Sequence, residues 1–300
     1  MAHDHHHHHD HTHESSGNIA VAFFMNLAFT IIELVGGMFT NSVAILSDAV
    51  HDFGDCLSLG AAWYFQRLSV KKGTARYTYG YKRFSLLGAI VNSVVLVTGS
   101  VYVLSESIQR LFSPQETSAT GMLILAVVGI IANGIPVLRA RKAKSINERV
   151  VSLHLLEDVL GWAAVLAGAV VMRLTGLTMI DPILSVASIC YVLFNVCRNV
   201  KQLLPIILQG VPADVDRAHI IEKLEAIEAV EGVHDIHIWS LDEAYNVLTV
   251  HIVLRRAAPM EALAALKCCV RALLREEGVQ HATIEFEAPD ETCDLGDCTR

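Results

Sequence analysis

The sequence predicts a membrane protein with an all-α domain of six transmembrane helices, followed by a C-terminal cytosolic α+β domain. Three observations predict this class. Hydrophobic residues make up 53% of the 300 residues and charged residues only 18%, whereas soluble domains are about a quarter charged. Six stretches approach the ~20 apolar residues that a membrane helix needs. After residue 204, charged residues become common and strand-like patterns begin.

The six predicted spans and their loops also predict an orientation. The spans are residues 19–39, 43–65, 84–108, 121–138, 151–174 and 182–200. Basic residues concentrate in residues 67–83 and 139–149, whereas the loops on the other side hold only Arg110 and Arg173. Since basic loops stay in the cytoplasm, we expect both termini to be cytoplasmic.

The C-terminal part shows helix and strand patterns in the order α-β-β-α-β. Helices are expected over 214–231, with Asp214 or Asp216 at the N-cap, and over 259–277. Strands are expected over 233–241, 245–254 and 279–287. The predicted organisation is therefore a tail (1–16), a transmembrane domain (17–205), a cytosolic domain (206–288) and a Cys-containing end (289–300).

Charge and cysteine content exclude some functions. The net charge of −8 leaves no basic surface for nucleic acid. The seven cysteines are an odd number, without the spacing of a disulfide framework, so we expect reduced thiols.

Ionisable residues inside two of the spans are the strongest functional indication. The second span contains His51 and Asp55, and the fifth contains His154 and Asp158. Residues four apart share a helix face, so the two faces together would offer two imidazoles and two carboxylates, a set that suits tetrahedral Zn²⁺. The alternative is that these groups only join helices through buried hydrogen bonds.

Other acidic residues in the spans receive lesser roles. Asp48, Asp52 and Glu157 are expected beside the ligand face, in supporting or purely structural roles. Glu33 and Glu106 are expected near the outer surface, where interfacial water would solvate them.

Two further regions carry metal-binding side chains. Eight of the fifteen histidines lie within residues 1–13; this start is either an engineered tag or a native metal-collecting tail, and its interrupted pattern favours the second. The cytosolic domain has histidines on its predicted strands, some of which must be surface residues, with acidic residues and thiols following. The candidates there are His234, His251, His281, Glu287, Cys293 and Cys298.

These residues together closely resemble the cation diffusion facilitator family, in particular its bacterial zinc exporters. The resemblance covers nearly the whole chain. Its marks are Ser47-Asp-Ala-x-His51 with Asp55, His154-x-x-x-Asp158, Tyr79-Gly-Tyr-Lys-Arg83, Asp181-Pro182 and Val233-His-Asp-Ile-His-Ile-Trp239. It implies a homodimer, a ferredoxin-like, metallochaperone-like cytosolic domain, and efflux of divalent metal in exchange for protons.

The resemblance also assigns roles to residues. His51, Asp55, His154 and Asp158 fall on the family's transport site, while His234, His251, His281, Glu287, Cys293 and Cys298 fall on positions that hold regulatory zinc. Two departures matter. The loop after span two offers lysines where some members have metal ligands, so no metal is expected there. Four residues separate the terminal cysteines instead of two, which weakens the case for their joint ligation.

The resulting hypothesis is a Zn²⁺/H⁺ antiporter of a bacterial inner membrane, not an enzyme. One alternative is a membrane-anchored metal sensor or buffer that binds zinc without moving it. The other keeps transport but makes Cd²⁺, Co²⁺ or Ni²⁺ the main cargo.

Overall fold

The computed structural model describes residues 11–69, 73–140, 146–242 and 244–291. The chain divides into two compact units. The first comprises Met1–Lys71 with Leu87–Arg198, and the second comprises Lys72–Leu86 with Asn199–Arg300. The segment that connects the second and third helices therefore packs with the C-terminal part of the chain, which its position in the sequence does not predict.

Six long helices precede the C-terminal domain, and each predicted span lies inside one of them. They are α1 (His11–Thr40), α2 (Val43–Ser69), α3 (Phe84–Phe112), α4 (Ala119–Ala140), α5 (Ile146–Thr175) and α6 (Ile180–Ile207). Among the described residues, α1, α3, α5 and α6 each hold a stretch long and apolar enough to cross a membrane. The apolar stretch of α4 is shorter, Ala119–Ile135, and three aspartates lower the hydropathy of α2.

The start of α2 is held by a buried aspartate from α6. Asp181 is 0% exposed, and its carboxylate accepts hydrogen bonds from the backbone N–H groups of Val43 (2.9 Å) and Ala44 (3.1 Å) and from the Ser42 hydroxyl. The first N–H groups of a helix have no partner within the helix, so Asp181 caps α2 from another helix. This contact places the polar residues of α2 relative to α6.

Close helix packing in the first unit depends on a glycine on α4. Trp162 on α5 is 1% exposed and contacts Phe29 of α1 edge-on, with ring centroids 6.1 Å apart. Its indole lies where a Cβ at Gly129 would be, only 2.3 Å from Trp162 Cδ2. The missing side chain therefore lets α4 lie directly against α5.

In the second unit, two helices cover one face of a three-stranded sheet. The elements are α7 (Arg217–Glu225), β1 (Val230–Ser240), β2 (Asn246–Leu254), α8 (Met260–Glu276) and β3 (His281–Glu287). The strand order is β1-β2-β3, with β1 antiparallel and β3 parallel to β2. The predicted order of elements is thus confirmed, and Asp216 is the N-cap of α7, accepting from the N–H groups of Ala218 and His219.

One predicted boundary in this domain is wrong. The helix expected to continue to Glu231 ends at Glu225, and β1 begins at Val230. Val230 is fully buried and pairs with Leu254 of β2. Burying this side chain in the sheet core outweighs the weak helical pattern of the preceding residues.

Residues 73–86 fold back on themselves and pack against the sheet. The rings of Tyr77, Tyr81 and Phe84 contact one another. Tyr79 packs edge-on against His281, with centroids 5.6 Å apart, and Lys82 Nζ lies 4.1 Å from the centre of the Tyr245 ring.

Candidate metal centre

Three polar side chains on one face of α2 form the first candidate centre. His51 Nε2 lies 3.6 Å from Asp55 Oδ2, and both side chains are about three-quarters buried. One ligand atom each from His51, Asp52 and Asp55 lies within 4.8 Å of the others. An imidazole and two carboxylates at this spacing can hold one divalent cation.

The position of Asp52 differs from the sequence-based expectation. Asp52 was expected beside the ligand face, but it is 6% exposed and joins His51 and Asp55. On a helix of 3.6 residues per turn, neighbouring positions differ by about 100°. Asp52 lies three residues before Asp55, however, and residues three apart are neighbours on a helix surface, so the Asp52 carboxylate can reach the other two ligand atoms.

Helix α5 brings one of its acidic residues, Asp158, to the same region. Asp158 lies close enough to Asp48 and Asp52 to act electrostatically on both. A Cβ at Gly161 would lie 3.9 Å from Asp48 Oδ1, so α2 and α5 are at the same level there. The structure therefore brings Asp158 near the part of α2 that carries Asp48 and Asp52.

The proximity of Gly161 to Asp48 shows which residues of α2 and α5 lie at the same height along the two helix axes. Successive helices run in opposite directions, so moving three residues along α2 from Asp48 corresponds to moving three back along α5. His51 is then level with Asp158, and by the same count Asp55 is level with His154. The side chain of His154 lies outside the described side chains.

A buried carboxylate from α1 joins the region and corrects a second expectation. Glu33 was expected to be solvated by interfacial water near the outer surface, yet its side chain is 1% exposed and lies close enough to Asp52, Asp48 and Asp158 to act electrostatically on them. Its position two turns before the end of α1 did not reveal which face α2 covers. Glu106, by contrast, pairs with Arg110 at 2.8 Å and is one-third exposed.

The second candidate centre lies on the sheet. Glu287 accepts hydrogen bonds from both histidines of adjacent strands, with His234 Nε2 2.7 Å from Oε2 and His251 Nδ1 2.7 Å from Oε1. All three residues are buried, and one ligand atom of each lies within 4.8 Å of the others. Two imidazoles and a carboxylate in this space fit a zinc ion with a fourth position left open.

A bulge in β1 builds this centre. Asp235 has a φ of 46°, and the pairing register shifts between His234 and His237. The extra residue turns the Asp235 carboxylate toward His237 Nε2 (3.0 Å) and His251 Nε2 (3.7 Å). Bulges re-aim side chains in this way. Alternation along the strand alone does not predict it.

The charge state of Glu287 follows from its partners. Burial alone would raise the pKa of the Glu287 carboxyl, but the hydrogen bonds from His234 and His251 outweigh burial and hold that pKa below its usual value. The carboxylate is therefore ionised at neutral pH and can bind a cation. Its bonds contribute stability above the ordinary carboxyl pKa of about 4.3, and this contribution is lost as pH falls through the lower folded-state pKa.

Not all predicted residues of the cytosolic domain meet. His281 lies at the opposite end of β3 from Glu287, is exposed, and contacts Tyr79. The structure thus separates His281 from the cluster, because seven residues of extended strand span about 20 Å. Glu285 lies two residues before Glu287 on β3 and so points to the same face of the sheet as Glu287. Its Oε2 atom lies 3.5 Å from His251 Nε2. Cys293 and Cys298 lie outside the described residues.

We predict that His251→Ala lowers the zinc bound by the full-length protein by one equivalent, whereas His281→Ala leaves the count unchanged. The reason is that, of these two histidines, His251 contacts Glu287 whereas His281 lies at the other end of β3. Equilibrium dialysis followed by elemental analysis measures the count. Equal losses in the two variants would show that the separation of His281 from the cluster does not matter for binding.

Comparison with known proteins gives consistent matches over the whole chain. A family model described as the cation efflux transmembrane domain matches residues 19–208, and one described as the cation efflux protein cytoplasmic domain matches residues 212–289. The metal cation efflux system protein CzcD of Cupriavidus metallidurans is 35% identical over 298 residues, covering 98% of this chain and 92% of that protein.

Two other relatives have comparable coverage. The zinc transporter ZitB of Pectobacterium atrosepticum is 32% identical over 307 residues, covering 100% of this chain and 92% of that protein. The cadmium, cobalt and zinc/H(+)-K(+) antiporter of Bacillus velezensis is 32% identical over 273 residues, covering 90% of this chain and 87% of that protein.

Proposed function

Because the chain belongs to the cation efflux family, we propose that it exports zinc from the cytoplasm in exchange for protons. Members of this family are transporters, not enzymes, and the chain is a multi-pass membrane protein. The observation that carries the proposal is the cluster of His51, Asp52 and Asp55 on α2, with Asp158 of α5 close enough to act electrostatically on Asp52. These side chains lie within apolar helices, where ionisable groups are costly and usually functional.

The donor set explains how a hydrated cation would enter an apolar region. Two carboxylates, from Asp55 and Asp158, balance the two charges of Zn²⁺. Imidazole nitrogens from His51 and His154 would complete a tetrahedral set and replace the water of the hydrated ion. No bond in a substrate is broken, so the work of the protein is to bind, shield and release the ion.

Exchange with protons would follow from competition for the same atoms. A metal-bound imidazole must be deprotonated, so binding of zinc and binding of protons oppose each other. Free histidine has a pKa of about 6.5. An acidic outer side would therefore favour release of zinc there, and a less acidic cytoplasm would favour its capture.

The finer architecture is part of the proposal. We take all six long helices to span a bacterial inner membrane with both termini in the cytoplasm. We take the C-terminal domain to be ferredoxin-like and to pair with a second copy in a homodimer. The match to a family model for the cytoplasmic domain and the αββαβ order support these points.

A membrane-anchored metal buffer or sensor is the competing hypothesis. The cluster of His234, His251 and Glu287 would serve a sensor as well as a regulated transporter. Ligands within apolar helices favour transport, because a sensor does not need them there. The name of one relative includes cadmium and cobalt as well as zinc. The experiment below therefore also compares which metal ion the protein transports fastest.

We expect zinc uptake into inverted membrane vesicles to rise when the vesicle lumen, which corresponds to the cell exterior, is acidified. The measurement is initial uptake of Zn²⁺, Cd²⁺, Co²⁺ and Ni²⁺ at clamped membrane potential. Equal uptake with an acidic and a neutral lumen would exclude proton exchange. Binding without uptake would leave the buffer hypothesis, and faster uptake of another metal would change the assigned cargo.

A further inference from the structure

Two uncharged polar side chains of α1 bond to the part of α2 that carries the metal ligands. The buried Thr30 hydroxyl donates a hydrogen bond to the Asn26 carbonyl (2.9 Å) and lies 3.5 Å from the sulfur of Cys56, which is also buried. Since a hydroxyl has one hydrogen, Thr30 accepts from the Cys56 thiol. The Asn26 amide donates to the backbone carbonyl of Asp52 at 3.4 Å. Two polar contacts therefore join α1 to α2.

The register of α1 against α2 follows from two glycines. A Cβ at Gly37 would lie 2.9 Å from the Leu46 side chain, and a Cβ at Gly60 would lie 3.0 Å from the Phe23 ring. Between these two close approaches, the chain goes back 14 residues along α1 and forward 14 residues along α2. The two antiparallel helices therefore keep a constant register over this length.

This register places the polar contacts at the height of the metal ligands. By the same count, the turn of α1 that ends at Thr30 is level with the turn of α2 centred on Asp55. Asp52 and Cys56 are four residues apart and share the face of α2 that meets α1. Each follows a predicted zinc ligand by one position, which is about 100° around the helix axis. The bonded face and the ligand face are thus neighbours on the same turns.

Polar contacts in this place limit the rotation of α2 about its axis. Apolar contacts are not directional, and lipid tails are as apolar as the side chains they would replace. Hydrogen bonds depend on angle as well as distance. A rotation that carried His51 and Asp55 out of position would also break the bonds made by Thr30 and Asn26. Binding groups must be held within about 0.5 Å of their productive geometry, so this restraint matters for the metal.

We infer that Thr30 is a positioning residue for the zinc centre of α2, which acts with Asn26 by fixing the rotation of α2 and does not touch the ion. The inference rests on the proposed function, in which His51 and Asp55 bind the transported zinc. Zinc in a four-coordinate site needs tetrahedral geometry, whereas Mn²⁺ favours oxygen-rich sites of higher coordination. Loss of the restraint therefore weakens zinc binding more than manganese binding.

The test is Thr30→Val in the full-length protein, which keeps the shape of the side chain and removes the hydroxyl. We expect the Kd for Zn²⁺ at this centre to rise about tenfold, since groups that support a metal ligand contribute about 10- to 100-fold in affinity. The Kd for Mn²⁺ should change less than twofold. Competition with a chromophoric chelator measures both, and the centre is identified as the zinc equivalent that Asp55→Asn loses.

Two further variants serve as controls. Thr30→Ser keeps the hydroxyl and should hold the zinc Kd within twofold of the wild-type value. Thr40→Val makes the same change on the same helix, at a buried threonine whose hydroxyl donates to the carbonyl of Gly36 in α1 (2.7 Å). It should also leave the zinc Kd within twofold, because this bond stays within α1.

The zinc Kd decides the inference. An unchanged value in Thr30→Val, or equal increases in Thr30→Val and either control, overturns the positioning role. Equal weakening of Zn²⁺ and Mn²⁺ overturns it as well, because geometry would then not be what was lost. If the wild-type protein takes up no zinc but Thr30→Val still weakens zinc binding selectively, the proposed transport fails and the positioning role stands. Asn26→Leu gives the same reading should Thr30→Val fail to fold, and an unchanged zinc Kd there overturns the inference.

Discussion

Asp158→Asn and Asp55→Asn are each expected to reduce zinc export by on the order of 100-fold or more. Each change keeps the size of the side chain but removes one of the two charges that balance Zn²⁺. Changes in groups that only support a metal ligand already cost about 10- to 100-fold, so loss of a ligand should cost at least the upper value. The measurement is initial zinc uptake into inverted vesicles at equal protein content.

The control is the adjacent acidic residue on α5. Glu157 lies within hydrogen-bond reach of Tyr191 on α6, whereas Asp158 acts on the α2 carboxylates. Glu157→Gln should therefore retain most of the export. Wild-type uptake by Asp158→Asn, or equal losses in Asp158→Asn and Glu157→Gln, would contradict the assignment of the transport site.

Gly129→Ala is expected to destabilise the helical unit strongly, although it adds only one methyl group. The new Cβ would lie 2.3 Å from Trp162 Cδ2 and 2.4 Å from Cε2, far inside normal contact. The indole is rigid and 1% exposed, so it cannot move aside without displacing α4 from α5. Overpacking of this kind costs about 1–3 kcal/mol, occasionally more.

Gly134→Ala is the matched control, because it adds the same methyl group to the same helix. Its Cβ would meet Val159 at 4.0 Å, an ordinary contact. Thermal unfolding of the purified full-length variants should show a lower midpoint for Gly129→Ala and a near wild-type midpoint for Gly134→Ala. Equal midpoints would mean that α4 and α5 do not pack through Gly129.

The elements themselves were predictable because they depend on local pattern. Each of the six predicted spans lies within a long helix, since long apolar stretches admit few other structures in a membrane. Spacing of four placed His51 and Asp55 on one face of α2, and the structure has them 3.6 Å apart. The strand histidines His234 and His251 were also found from sequence, and pairing brings their rings to 5.2 Å.

Residues whose roles depend on a neighbouring element were missed. Glu33 was expected to be solvated near the outer surface, and Asp52 was expected beside the site. The sequence of one helix alone does not predict which of its faces the neighbouring helix covers, or how far the two helices are shifted along each other. His281 was grouped with His234 and Glu287 because all lie on strands. The parallel pairing of β3 with β2 decides which end of β3 lies beside His234 and His251. The bulge at Asp235 likewise depends on the pairing of β1 with β2.

By itself, the sequence determined that the chain is a membrane protein with polar ligands on two helices and a small α+β domain at its C-terminal end. These properties follow from composition and from periods of two and four residues, which act over a few neighbours. The tertiary structure alone decided that α1 contributes a carboxylate, that Asp181 caps α2, and that His281 stands apart from Glu287. Such contacts join residues distant in the chain, so they are set by the register of packed helices and paired strands, which no local period specifies.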